Sequence, residues 1–154
     1  MADRFDFVSA TDKPALLALT NPEWITIVQT ALSELGYKVQ KIGTHLEFPN
    51  RFAQVPYQIL VIEDQFSDTP LSENMTLRTV QALPMVQRRH TTIILIGESY
   101  ETLNALQAFQ MSVHAVINYS EMTLFRQLVK KVISENDLFL SNFREIGQRV
   151  SQGK

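Results

Sequence analysis

Two adjacent carboxylates, Glu63 and Asp64, close the apolar run Ile59-Leu60-Val61-Ile62. The run reads as a buried strand, and an acid at the C-terminal end of a central strand stands where open α/β sheets keep their chemistry. The chemistry expected of such an acid is phosphoryl transfer to its carboxylate, assisted by a bound metal. That chemistry needs further carboxylates from the first strand, because magnesium takes hard oxygen ligands. Here the first strand, Ala15 to Leu19, runs into Thr20-Asn21-Pro22 without an acid. The acids of the third strand therefore stand without the partners that phosphoryl transfer requires.

Other residues of chemical interest carry weaker signals. Asp64 and Asp68 are candidates for a displaced phosphate acceptor, but an acid after a strand more often caps a turn or faces solvent, and that is the expectation here. Arg88-Arg89-His90 is a basic cluster able to meet a phosphate or an acidic partner; its ordinary role is at a helix C-terminus, against the dipole. His45, His90 and His114 lack metal-ligand spacing, so no metal site is expected. Thr20-Asn21-Pro22 opens a helix and could receive an anion. The chain has no GxGxxG, no GxxxxGK[ST] and no Ser/Thr-rich phosphate loop. Nucleotide and flavin cofactors are therefore not expected. No GxSxG elbow or triad is visible either, so no catalytic residue is assigned.

The elements that must position these residues alternate along the chain. Short β-rich runs span Ala15 to Leu19, Tyr37 to Ile42, Gln58 to Ile62, Thr92 to Ile96 and Val113 to Ile117. Stretches of helical period separate them, which predicts a parallel sheet covered on both faces. Asn21, Pro22 and Glu23 form a helix start, Trp24, Ile27, Val28, Ala31, Leu32 and Leu35 follow at helical spacing, and Gly36 ends the helix. A short helix is expected around Leu46 to Ala53, with Pro49 inside it. A third is expected over Glu73 to Arg89, bent at Pro84, then a fourth over Glu98 to Gln110 and a long last one over Glu121 to Gln148.

Composition sets the class. The 154 residues are 45% apolar and 19% charged, with a net charge of -2 and no cysteine. That suits one globular domain with a real core and excludes a disulfide framework, thiolate metal sites and cysteine nucleophiles. The charge balance gives no pull toward nucleic acid or anionic membrane. The residues Met1 to Phe7 carry acids where a signal peptide has an apolar core, and no apolar run approaches a membrane span. A soluble cytoplasmic protein is expected.

The order of elements resembles the receiver domain of bacterial response regulators, a CheY-like, flavodoxin-like fold: α/β, with a five-stranded, parallel, doubly wound (βα)5 sheet. The resemblance runs over about Pro14 to Ser134 and is most specific over Glu73-Asn74, Leu83-Pro84-Met85-Val86-Gln87-Arg88-Arg89, Leu95-Ile96-Gly97, Leu103, Ala108-Phe109, Ser112-Val113 and Val116-Ile117-Asn118. There it is similar to a group of divergent receiver-like domains. It implies a segment 1–13, a receiver-like domain 14–134, and an extension 135–154. By the same resemblance, the acidic pair after the first strand falls on Leu19 and Thr20, and the phosphate acceptor on Glu63. The switch hydroxyl falls on Gly97 and the lysine after the fifth strand on Asn118 or Tyr119. Every one of these positions departs from the pattern. The implied reading is a non-catalytic pseudo-receiver with no cofactor, acting as a protein-interaction module. A phospho-receiver with a displaced acceptor at Asp64 and a flavodoxin-like small-ligand binder are the alternatives.

The last helix adds a second theme. Phe125, Val129, Val132, Asn136, Phe139, Phe143, Ile146 and Val150 recur at alternating spacings of four and three, a heptad seam with one polar member. Packing on the sheet accounts for the first three. The later ones predict burial against Phe5 and Phe7, a second copy of the chain, or another protein, and a homodimer through this helix is the expectation.

Overall fold

The computed structural model describes residues 12–88 and 90–136. Five parallel strands make one sheet in the order β2-β1-β3-β4-β5, with β1 Pro14–Ala18, β2 Lys38–Lys41, β3 Ile59–Glu63, β4 Thr92–Gly97 and β5 Ala115–Asn118. The strand ends differ from the sequence expectation by up to two residues. The register aligns Ala18 with Ile62, Ile62 with Leu95, and Gly97 with Asn118, so the C-terminal ends of the strands meet at one rim. Every residue of β1, β3 and β4 is buried, as their unbroken apolar sequences require.

Side chains alternate between two cores. On one face Leu17, Val61, Ile94, Ile96 and Ile117 pack with Val28, Ala31 and Leu32 of α1 (Pro22–Glu34) and with Phe125, Val129 and Val132 of α6, the helix over 125–136. On the other, Leu16, Leu60, Ile62, Ile93 and Leu95 pack with Phe48 of α2 (Glu47–Gln54), Leu77 and Val80 of α3 (Met75–Ala82), and Ala108 of α5 (Ala105–Met111). Between α3 and β4 lies the single turn α4, Met85–Arg88.

The helix starts follow their caps. Asn21 Oδ1 accepts from the N–H groups of Glu23 and Trp24, and Gly36 takes a φ of +92°, open to glycine at little cost. Pro49 lies in the first turn of α2, where its missing N–H costs nothing. The helix expected over Glu73 to Arg89 is divided into α3 and α4, because Leu83 before Pro84 is extended (ψ 143°). Two other expected helices start late. Residues 98–104 form a loop rather than the start of α5, since Tyr100 turns inward and the Asn104 side chain caps the helix at Gln107 N–H. The 3₁₀ segment Tyr119–Leu124 precedes α6 for a similar reason, with Asn118 Oδ1 taking the N–H of Ser120.

The sheet edges are finished differently. On β2, Lys38 and Lys41 flank the strand, and Lys38 reaches Asp12 at 3.8 Å. On β5, the 98–104 loop lies along the strand: Leu103 N–H donates to the Val116 carbonyl, and Asn118 N–H donates to the Thr102 hydroxyl. Leu103 adopts a left-handed φ of 63° to do so.

Candidate functional site

The strand ends bring Thr20, Glu63, Asp64, Gly97 and Tyr119 together at the C-terminal rim of the sheet. Glu63, 6% exposed, directs Oε1 at the start of α1 and accepts from the N–H groups of Thr20 (2.9 Å) and Asn21 (3.1 Å). It thereby satisfies backbone donors that a helix start leaves without partners. Thr20 completes the stitch, its hydroxyl oxygen accepting from Ser67 N–H at 2.6 Å. Leu19 points the other way, buried in the core beneath α1.

Asp64 corrects the sequence expectation of a turn cap or solvent-facing acid. It is 5% exposed, and its carboxylate accepts from the Tyr119 hydroxyl, which reaches over from the end of β5. Burial pushes the Asp64 carboxyl above its ordinary value, and the Tyr119 hydrogen bond opposes this only in part. Burial and then Asp64 itself push the Tyr119 hydroxyl upward, so the pair stays a phenol donating to a carboxylate. The Tyr119 ring packs on Trp24 of α1 with centroids 3.9 Å apart.

Gly97 is shaped by a close approach rather than by backbone freedom. A Cβ there would lie 2.6 Å from Asp64 Oδ2 and 2.6 Å from Tyr100 Cε2. The space a switch hydroxyl would need is held by Asp64 and Tyr100. Asn118 turns away from the acids, its Nδ2 donating to the carbonyls of Glu98 (3.1 Å) and Tyr100 (2.7 Å).

Two residues at this rim were given no site role by the sequence reading. Asn74 is fully buried and donates from Nδ2 to the carbonyls of both Glu63 and Asp64 at 3.0 Å, while its Oδ1 caps α3 at Leu77 N–H. Its signal was an Asn directly before a helical run. Tyr100 buries its hydroxyl without a hydrogen-bond partner, and burial followed by the Asp64 charge raises it to about 12. Nothing in local pattern marks such a tyrosine.

The residues do not fit a magnesium ion. Such an ion asks for carboxylates in octahedral array, and the end of β1 offers only the Leu19 side chain, buried in the core, and the Thr20 hydroxyl, with no carboxylate. One oxygen of Glu63 and one of Asp64 are already engaged. Among the described residues no group of three or more His, Asp or Glu is arranged to hold a metal.

The remaining sequence candidates lie elsewhere. His45 bridges the Thr76 and Thr69 hydroxyls, both at 2.9 Å, and His114 Nδ1 accepts from Ile93 N–H. Phe125, Val129 and Val132 are spent on the chain's own sheet, and Asn136 Nδ2 donates to Thr92 Oγ1 at 2.8 Å. Phe139, Phe143, Ile146 and Val150 lie outside the described residues, as do Phe5, Phe7 and Arg89.

No family model matches the chain, and no curated protein matches its sequence. Solved structures do match. The chemotaxis response regulator CheY4 of Vibrio cholerae superposes with a TM-score of 0.58 at 12% identity, over 79% of this chain and 99% of that one. A response regulator receiver protein from Pseudoalteromonas atlantica gives 0.58 at 18% identity, over 79% and 98%. The signal receiver domain of a histidine kinase from Syntrophus aciditrophicus gives 0.61 at 13% identity, over 80% and 91%. The chain thus has the CheY-like, flavodoxin-like receiver fold that its order of elements implied, and at these identities the likeness is one of fold.

Proposed function

We propose that this protein is a pseudo-receiver: a cytoplasmic, non-enzymatic interaction module of bacterial signalling or regulation that works without accepting phosphate. One observation carries the reading. Both acids at the end of β3 are committed to the chain's own donors, Glu63 to the start of α1 and Asp64 to Tyr119. A transferring phosphoryl group needs preorganised positive charge around it, and Asn118 and Tyr119 stand where the resemblance implies a lysine.

The working surface in this reading is α5, β5 and α6, together with the chain beyond residue 136. Leu106 and Phe109 of α5 are 64% and 81% exposed, which suits a protein partner or a second copy of the chain. No helix of the described residues is long and apolar enough to cross a membrane.

The test is treatment with a small phosphodonor and magnesium, followed by intact-mass measurement. The expected result is no added phosphoryl group. A gain of one phosphoryl that disappears in Asp64→Asn would replace this reading with a phospho-receiver. Light scattering at high concentration tests the homodimer, and a strict monomer would leave only a heterologous partner.

A further inference from the structure

A second site lies at the opposite end of the sheet from the acids. There α4, α5, α6 and the N-terminal ends of β4 and β5 enclose a cleft of about 790 Å³, the size of a small-ligand pocket. Its walls include Phe109, Ala108 and Val132, and its polar groups include Arg88, His114, Lys131 and Glu135.

The cleft holds one buried donor with nothing to receive it. Arg88 Nη1 is buried and has no hydrogen-bond partner, while Nη2 rests only on Met85 Sδ at 3.4 Å. Among the described residues no carboxylate forms an ion pair with this guanidinium; the pairs found are Lys38 with Asp12 and Arg126 with Glu34. A buried guanidinium N–H without an acceptor is costly, and such groups in folded proteins are normally met by a water, an ion or a ligand.

His114 adds a second donor by elimination. Its Nδ1 accepts the Ile93 N–H at 2.9 Å, so that nitrogen carries a lone pair. The ring is exposed on one side, and with its Nδ1 lone pair taken by Ile93 N–H the neutral imidazole carries its one proton on Nε2. The formal charges lining the cleft are then Arg88 and Lys131 against Glu135, which leaves one positive charge. That balance suits a monoanion, and the apolar walls suit a hydrocarbon body.

We propose that this cleft binds a small organic monocarboxylate. Its carboxylate would accept from Arg88 Nη1 and His114 Nε2–H, and its chain would lie against Phe109 and Val132. The ligand would join α4 to α6 across the base of β4 and β5, and so bear directly on the α5–β5–α6 surface. The site shares no residue with the acid rim. A phosphoryl group gained at Asp64 would overturn the pseudo-receiver reading and leave this one standing.

The test is a titration of the full chain with octanoate, octanol and inorganic phosphate, followed by methyl NMR of Val132 and Ala108. Saturable shifts are expected with octanoate. Octanol and phosphate, each lacking one half of the match, are expected to bind more weakly by about tenfold or more. Arg88→Gln should lose about tenfold or more in octanoate affinity, since a charge-assisted hydrogen bond is removed. Arg88→Lys keeps the charge without the fork and should fall between; it also serves if the glutamine variant fails to fold. Equal binding of octanol would reduce the site to a greasy groove and overturn the proposal. So would unchanged binding in Arg88→Gln, or no shift at the cleft methyls.

Discussion

At the C-terminal ends of β3 and β4 two carboxylates are met by the chain's own donors, while at the N-terminal ends of β4 and β5 a guanidinium nitrogen meets no acceptor. Both ends belong to one sheet and share β4. At the rim both acids are engaged by internal hydrogen bonds that contribute to stability, although the Tyr100 hydroxyl is buried there without a partner. The base keeps an unspent donor, so its polar groups are free for something outside the chain. In the pseudo-receiver reading proposed above, the acid rim serves as part of the scaffold.

That contrast can be broken most forcefully at Gly97. Gly97→Thr adds a hydroxyl at the position the resemblance gives to a switch residue but drives its Cβ into Asp64 and Tyr100, and is expected to cost about 2–3 kcal/mol in urea unfolding. A near-neutral result would mean that the rim is looser than its hydrogen bonds imply. Glu63→Ala comes next. It leaves the Thr20 and Asn21 N–H groups without their acceptor, for an expected loss of about 2 kcal/mol. Glu63→Gln retains an acceptor oxygen and should cost about half as much. Tyr119→Phe removes the donor to Asp64 and should cost about 1–2 kcal/mol, with no such loss once Asp64 is already Ala.

The two ends should also respond to pH in opposite directions. The folded Asp64 carboxyl lies above its ordinary value of 3.8, so the folded state binds the extra proton and this contribution falls as pH rises through the window just above 3.8. The His114 imidazole lies near 4 instead of 6.5, so its contribution is full above pH 6.5 and is lost as pH falls toward 4. Stability curves of Asp64→Asn and His114→Gln should lose one slope each, and loss of the same slope in both would refute the assignment. The smallest effect is expected at Arg88. Arg88→Gln in the absence of ligand should stay within about 0.5 kcal/mol of wild type, because its one acceptor among the described residues is the weak Met85 Sδ.

Much of the scaffold was legible in the sequence. The apolar runs of β3 and β4 announced central parallel strands, and Asn21-Pro22-Glu23 with Gly36 bracketed α1 closely. The starts of α5 and α6 were not legible. There an inward Tyr100 and the local caps of Asn104 and Asn118 override a helical pattern that extends further back. At the rim, the missing first-strand acids could be read directly. What Asp64 does instead could not, because its partner Tyr119 lies 55 positions away and is brought near only by the register of β3, β4 and β5. Arg88 showed the same limit from the other side. The sequence offered a basic helix end, and only the packing of α4 beside α5 and α6 shows one of its nitrogens buried without an acceptor.

The finish of the sheet edges bears on self-association. An open parallel sheet presents unpaired backbone groups at both margins, which can template fibrils or strand-swapped dimers. Here the β2 margin carries Lys38 and Lys41, and the β5 margin is occupied by the backbone of Leu103 and the hydroxyl of Thr102. Neither margin invites another strand. Among the described residues, one charged strand and one loop whose Leu103 takes a left-handed φ thus disfavour pairing of either margin with a further strand.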